Sequence, residues 1–240
     1  MRRLSLTTFI FAILSAVFFL LLIFLRIPFG PYPLMSDQDA LDILTPLVLI
    51  PLYWMLFRSS SSGVSHHREE LVFMIFAALW VLGQGMHLSA NSINNLSENL
   101  ADSKVIDILN TSIYQLTYFY DEYLSHYLWH IGILGLAGLL IYRDLRSPTM
   151  ATTNWWLAGI GGVIYGLTSF LIFLEGNTVL MGLPFAVVTV LLMLAWGRKR
   201  LSQKPVMAFF FFSYLVAIIL LAGWGIYFKG FPPPSAVGLI

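Results

Sequence analysis

Seven apolar stretches follow one another along the 240-residue chain, at residues 5–25, 40–57, 71–93, 117–142, 154–174, 178–196 and 206–228. Written as helices at 1.5 Å per residue, they measure about 27 to 39 Å, and the hydrocarbon core of a bilayer is about 30 Å thick. A backbone crossing lipid must satisfy its own N–H and C=O groups, which leaves helices or a closed barrel, and uninterrupted runs of this length exclude the barrel's short alternating strands. With 58% of residues apolar and only 10% charged, the chain has too little polar surface to enclose a soluble core. The expectation is an all-α, polytopic membrane protein: one transmembrane domain over residues 1–240, folded as a seven-helix bundle.

The first run follows Met1-Arg2-Arg3 and continues to Arg26 without a small-residue cleavage site, so it is read as a retained helix and not as a signal peptide. Pro28, Gly30, Pro31, Pro33, the Ser59 to Gly63 stretch, Pro148 and Pro205 punctuate the gaps between runs. A cytoplasmic amino terminus places Arg2, Arg3, Arg58, Arg68, Arg143, Arg146, Arg198, Lys199, Arg200 and Lys204 inside, against Arg26, Lys104 and Lys229 outside. That asymmetry follows the positive-inside rule and puts the carboxyl terminus outside. The more polar segment from Asn94 to Asn110 is read as an outer loop or a short interfacial helix. The membrane is a plasma or inner membrane, or an endomembrane in a eukaryote.

A formal net charge of +1 without a basic tract removes the electrostatic case for nucleic acid. The absence of cysteine removes disulfides, thiolate metal sites and thiol catalysis. Chemistry is left to histidines, carboxylates and hydroxyls, and inside the apolar runs these are few. The third run carries Gln84, His87 and Asn91 along one helical stripe, and the fourth carries Glu122, His126 and His130 at intervals of four, with Asp121 and Ser125 alongside. Ionisable groups at membrane depth face a protein interior or a wet cavity because lipid exposure costs about 2.5 to 3.5 kcal/mol each. His87 and His126 each lie about 24 Å from the cytoplasmic end of their helix, so the two stripes can meet in the outer half of the bilayer.

Two imidazoles four residues apart can share one ion, and a third from a facing helix leaves a fourth position open for water. His87, His126 and His130 are therefore candidate zinc ligands, although another divalent metal would suit the same donors. Zinc would acidify that water, with Glu122 or Asp121 as base. Glu122 is preferred because it shares the four-residue stripe. Asn91 and Gln84 would orient substrate or stabilise an oxyanion, Ser125 would support them, and Glu175 is either a contact at the mouth or an interfacial turn residue. Asp42 is read as interfacial, His66 and His67 as solvated loop residues, and Gly132, Gly135, Gly138, Gly159, Gly162 and Gly166 as sites of close helix approach.

Seven spans, a cytoplasmic amino terminus, one histidine on an earlier span and a His-x-x-x-His pair beside acids resemble the seven-helix metal-dependent hydrolases that include the alkaline ceramidases and the progestin and adipoQ receptors. The resemblance is carried by His87, Asp121, His126 and His130. In that superfamily the paired histidines lie on the last span and a serine precedes the first histidine by four; here the pair is on the fourth span and Gly83 holds the serine position. What the resemblance implies is metal-dependent hydrolysis of a lipid-like amide or ester, with membrane lipid as surroundings and source of substrate. A proton- or cation-coupled transporter or channel using the same groups is the main alternative, disfavoured by the apolar sequence below Gln84 and below His130. Haem ligation by His87 and His126 is a further one.

Overall fold

The computed structural model describes residues 2–21, 30, 36–60, 67–102, 108–148 and 151–239, and these are almost wholly helical. α1 (Arg2–Ala16) runs on through a wide π turn, Val17–Leu21; α2 (Asp37–Asp42) leads into α3 (Leu44–Ser59); α4 (His67–Asp102) is followed by α5 (Ser112–Phe119), a π turn at Tyr120–Ser125 and α6 (His126–Arg146). α7 (Trp155–Glu175), α8 (Val179–Leu192) and α9 (Pro205–Phe228) complete the bundle. Five of the described helical segments are long and apolar enough to cross a membrane: Asp37–Ser59, His67–Glu98, Ser112–Arg146, Trp155–Glu175 and Pro205–Phe228. Leu4–Leu20 and Val179–Ala195 are shorter apolar helices. The chain is an integral membrane protein built of helices, and each expected run coincides with one of these segments.

The helix ends follow local chemistry. Ser36 caps α2 in a reciprocal box, its Oγ accepting from the Asp39 amide at 3.1 Å while Asp39 Oδ2 accepts from the Ser36 amide at 3.0 Å. Asn154 accepts from the Trp156 and Leu157 amides at the start of α7, and Pro205 opens α9, where a missing N–H costs nothing. One boundary departs from the sequence reading. The third run does not stop at Ile93: α4 continues to Asp102, so half of the expected outer loop is helix, stabilised by nothing in it that breaks one. Ser97 takes part as a helical residue, its Oγ donating to the Ile93 carbonyl at 2.8 Å. Leu109 and Asn110 form the turn before α5. Lys104, Val105 and Ile106 of that stretch lie outside the described residues, as do Arg26, Pro28, Pro31, Pro33, Gly63 and His66.

Lipid offers helices no hydrophobic reason to associate, so packing and buried hydrogen bonds must hold them. α4 and α6 approach most closely at two glycines: a Cβ at Gly83 would lie 2.4 Å from the Trp129 amide nitrogen, and one at Gly132 would lie 2.7 Å from the Phe76 carbonyl oxygen. Gly135, Gly162 and Gly166 are also closely covered, whereas Gly138 meets only ordinary contacts and Gly159 faces open space. The interior is aromatic, with Phe11, Tyr53, Trp80, Phe173, Phe209, Phe210 and Tyr214 fully buried, and a Tyr53–Tyr165 hydroxyl bond of 2.7 Å.

Polar groups gather at both ends of the bundle. At the end bearing Ser59 and Arg146, Arg143 pairs with Glu69 and its guanidinium lies 3.8 Å from the Phe57 ring centroid, while Lys204 Nζ donates to the Ser147 carbonyl at 2.5 Å. Asp144, 2% exposed, accepts from the Met207 amide at 3.0 Å and so caps α9 from another helix. Replacing Asp144 by Ala leaves that buried N–H without a partner, and the expected loss is about 1 to 2 kcal/mol. Thermal unfolding in detergent would register it. An unchanged midpoint would show that α9 starts without this cap.

Candidate functional site

At the opposite end, the π turn at Val17–Leu21, α2, α4, the π turn at Tyr120–Ser125, α6, α7 and the carboxyl-terminal tail line a cavity of about 260 Å³. His87, Asn91, Glu122, His126, His130 and Glu175 line it, so six of the nine residues singled out from the sequence come together. The depth argument holds. His87 and His126 ring centroids are 4.7 Å apart, and those of His126 and His130 are 6.0 Å apart.

The rotation of α6 differs from the expectation. Gly83 and Gly132 select the contact face, and the residues turned toward α4 are Asp121, Ser125, Trp129 and Gly132. The Glu122, His126 and His130 stripe is carried round toward the cavity and α7. Asp121, not Glu122, therefore meets His87, with Oδ1 2.8 Å from Nδ1. Asp121 is completely buried and neither of its oxygens has another partner among the described residues. This pairing arises at the π turn, whose wider winding reorients the residues it contains, a feature that recurs at functional sites. Glu122 lines the cavity with no side-chain hydrogen bond among the described residues.

Four other residues sit differently from the expectation. Ser125 is buried and donates to the Asp121 carbonyl within its own helix, facing α4 and not the cavity. Gln84 does not reach the histidines; its Nε2 donates to Asp42 Oδ1 at 2.7 Å and its Oε1 accepts from the Trp80 indole at 2.6 Å. Asp42 is not simply interfacial, because that bond draws it into the cavity wall. Asn91 lines the cavity with its Nδ2 committed to Asp39 Oδ1 at 2.8 Å, which leaves its amide less free to stabilise an oxyanion.

Sequence reasoning missed Asp39, Thr178 and Ser235. Asp39 is 4% exposed and accepts from both Asn91 and Ser92, tying α2 to α4. Thr178 Oγ1 lies 2.5 Å from His130 Nδ1. Glu175 is both mouth residue and turn residue: its two oxygens accept from the Ser235 amide and hydroxyl, each at 2.8 Å, which folds the tail across the opening so that Pro233 and Ser235 form part of the wall. Only Asp37-Gln-Asp-Ala-Leu-Asp, an acidic cluster abutting an apolar run, offered a signal in advance.

The donor chemistry suits zinc in part. Each imidazole has its Nδ1 against an oxygen, from the Asp121 carboxylate, the Glu122 carbonyl at 3.1 Å or the Thr178 hydroxyl, an arrangement typical of metal-bound histidines. Convergence is missing: among the described residues no three His, Cys, Asp or Glu side chains are arranged to hold a metal ion. The residues as placed do not fit a three-histidine zinc centre, and no chemical step is drawn through one. Elemental analysis of purified protein is expected to find zinc well below one per chain, unaltered in His126→Ala. One equivalent in the wild type that disappears in that variant would restore the three-histidine reading.

No family model matches this chain, and no solved structure matches it. It is similar to the ceroid-lipofuscinosis neuronal protein 6 homolog of Canis lupus familiaris, at 25% identity over 197 residues, and to ceroid-lipofuscinosis neuronal protein 6 of Homo sapiens, at 23% over 200 residues. Each match covers 77% of this chain and 61% of the relative, so the chain spans under two thirds of the length of these curated relatives. The likeness to the seven-helix hydrolases rests on the four residues named above and the run count alone.

Proposed function

We propose that this membrane protein is an enzyme that uses the Asp121–His87 pair as an acid–base couple on the polar end of a lipid-like substrate, hydrolysing an amide or ester with water as nucleophile. The observation that carries this reading is the 2.8 Å contact between a completely buried carboxylate and a histidine that lines the cavity. With its proton on Nδ1, His87 faces Asp121 and keeps an Nε2 lone pair to accept a proton from water; Asp121 then stabilises the imidazolium that forms. Glu122, in the same wall, is placed to return a proton to the leaving group.

Phe18, Phe19 and Trp129 are apolar parts of the cavity wall, and Ile133 and Leu136 lie buried further along α6. A blind pocket favours chemistry over a conducting path. We also take all seven helical segments as crossings, with the cavity end outside; the ten-to-three distribution of basic residues supports this orientation.

The test is a product screen. Full-length protein in lipid nanodiscs is incubated with a panel of long-chain acyl amides and esters, and released acid is followed by mass spectrometry. Product that depends on His87 supports the reading. No product from any acyl substrate, together with a pH-gradient-dependent flux in proteoliposomes that His87→Ala abolishes, would replace it by transport.

A further inference from the structure

A second concavity, a groove of about 460 Å³, lies between α3 and α4. Ile43, Leu47, Ile50, Val81 and Leu88 make it apolar, and Ile43, Leu47 and Val81 are each 45% or more exposed, so it opens on the lipid-facing wall of the bundle. It follows α3 from Ile43 to Pro51, about 12 Å of helix. Asp42 lines both this groove and the polar cavity, so the two adjoin at this residue. Oδ1 of Asp42 accepts from Gln84 and Thr45, while Oδ2 has no partner among the described residues.

The cavity is also one-sided in charge. Asp42, Glu122 and Glu175 line it, Asp121 stands behind His87, and among the described residues no lysine or arginine lines cavity or groove. An unsatisfied polar atom on a nearly inaccessible side chain points to a ligand as well: His130 is 1% exposed, lines the cavity, and has no hydrogen-bond partner at Nε2 among the described residues. A chamber lined by carboxylates disfavours phosphate and carboxylate head groups and attracts an ammonium, which also donates the hydrogen bonds that Asp42 Oδ2 and His130 Nε2 accept.

We propose that cavity and groove form one binding site for a single-chain amphiphile with a protonated amine head, the ammonium seated beside Asp42 in the cavity and the chain laid along the α3–α4 groove. This deepens the proposed function, since it rests on the cavity being a site for lipid-like molecules, and it names a class the site holds: long-chain amines without phosphate, the product that hydrolysis of a long-chain amide would release. Chain and head are recognised by different walls. Each can therefore be removed separately.

Gly85 is on the groove floor, and a Cβ there would meet nothing within 4 Å. A Phe at this position fills the groove without disturbing the packing of α4. The experiment is equilibrium binding of radiolabelled dodecylamine to the full chain in phosphatidylcholine nanodiscs, corrected with empty nanodiscs. The expected result is saturable binding of one amine per chain, weakened at least tenfold by Gly85→Phe and by Asp42→Asn, with dodecanol and dodecyl phosphate failing to compete at tenfold excess. Competition by dodecanol equal to that by unlabelled amine would overturn the charge argument on the wild-type protein alone. Unchanged binding in Gly85→Phe would overturn the groove. Because the assay needs no turnover, amine binding without product in the acyl screen defeats only the catalytic reading, and turnover of neutral esters without amine binding defeats only this inference.

Discussion

Asp121→Asn is expected to lower turnover by a factor on the order of 10² to 10⁴, and His87→Ala by at least as much. The amide keeps the shape of the carboxylate but presents an N–H₂ or a neutral oxygen to His87 Nδ1. The first forces the imidazole proton onto Nε2, where it blocks proton acceptance. The second leaves the His87 imidazolium facing a neutral group in the one direction where the buried carboxylate had compensated it. Substrate binding should change little, so the loss should appear in kcat and not in KM. His67→Ala, at the exposed start of α4 and at the other end of the bundle, should retain full turnover. Glu122→Gln separates the two acids: a drop comparable to that of Asp121→Asn makes Glu122 the proton donor to the leaving group, and a wild-type rate removes it from the reaction. Turnover within twofold of wild type in Asp121→Asn would end the case for the acid–base couple.

Gly132→Leu should cost about 3 kcal/mol of stability, the upper end of the cost of overpacking. A Cβ there would sit 2.7 Å from both the Phe76 carbonyl oxygen and the Trp80 amide nitrogen. Those atoms are helix backbone and cannot rotate aside, so α4 and α6 must separate. The same separation pulls His87 from Asp121, so activity should fall with stability. Gly159→Leu is the control: its Cβ meets nothing within 4 Å, and the change should stay within about 0.5 kcal/mol. Thermal midpoints in one detergent would compare the pair. Equal midpoints for the two variants would show that the glycine contact does not hold the helices together.

The same contact explains why position 83 is a glycine. Here a Cβ would fall 2.4 Å from the Trp129 amide nitrogen and 2.6 Å from the Ser125 carbonyl oxygen. Any side chain would wedge α4 from α6.

Membrane residence, helical class, helix positions and the set of polar residues at one end were all legible in the chain. The reason is physical: lipid demands long apolar helices, and a polar residue within one is expensive enough to announce itself. Depth was legible too, because rise per residue is constant along a helix; His87 and His126 meet as their counts require. Rotation was not. Which face of α6 turns to α4 depends on where two backbones come closest, and that was settled by Gly83 and Gly132 acting together with the π turn at Tyr120–Ser125, whose winding no residue spacing announced. So the histidines and acids came from the sequence, but the choice of Asp121 over Glu122 as partner of His87, the entry of Asp42 into the wall, and the tail held over the mouth by Glu175 and Ser235 were decided only by the tertiary structure. Periodicity along one helix carries no information about the angle at which a second helix meets it; close packing between them does.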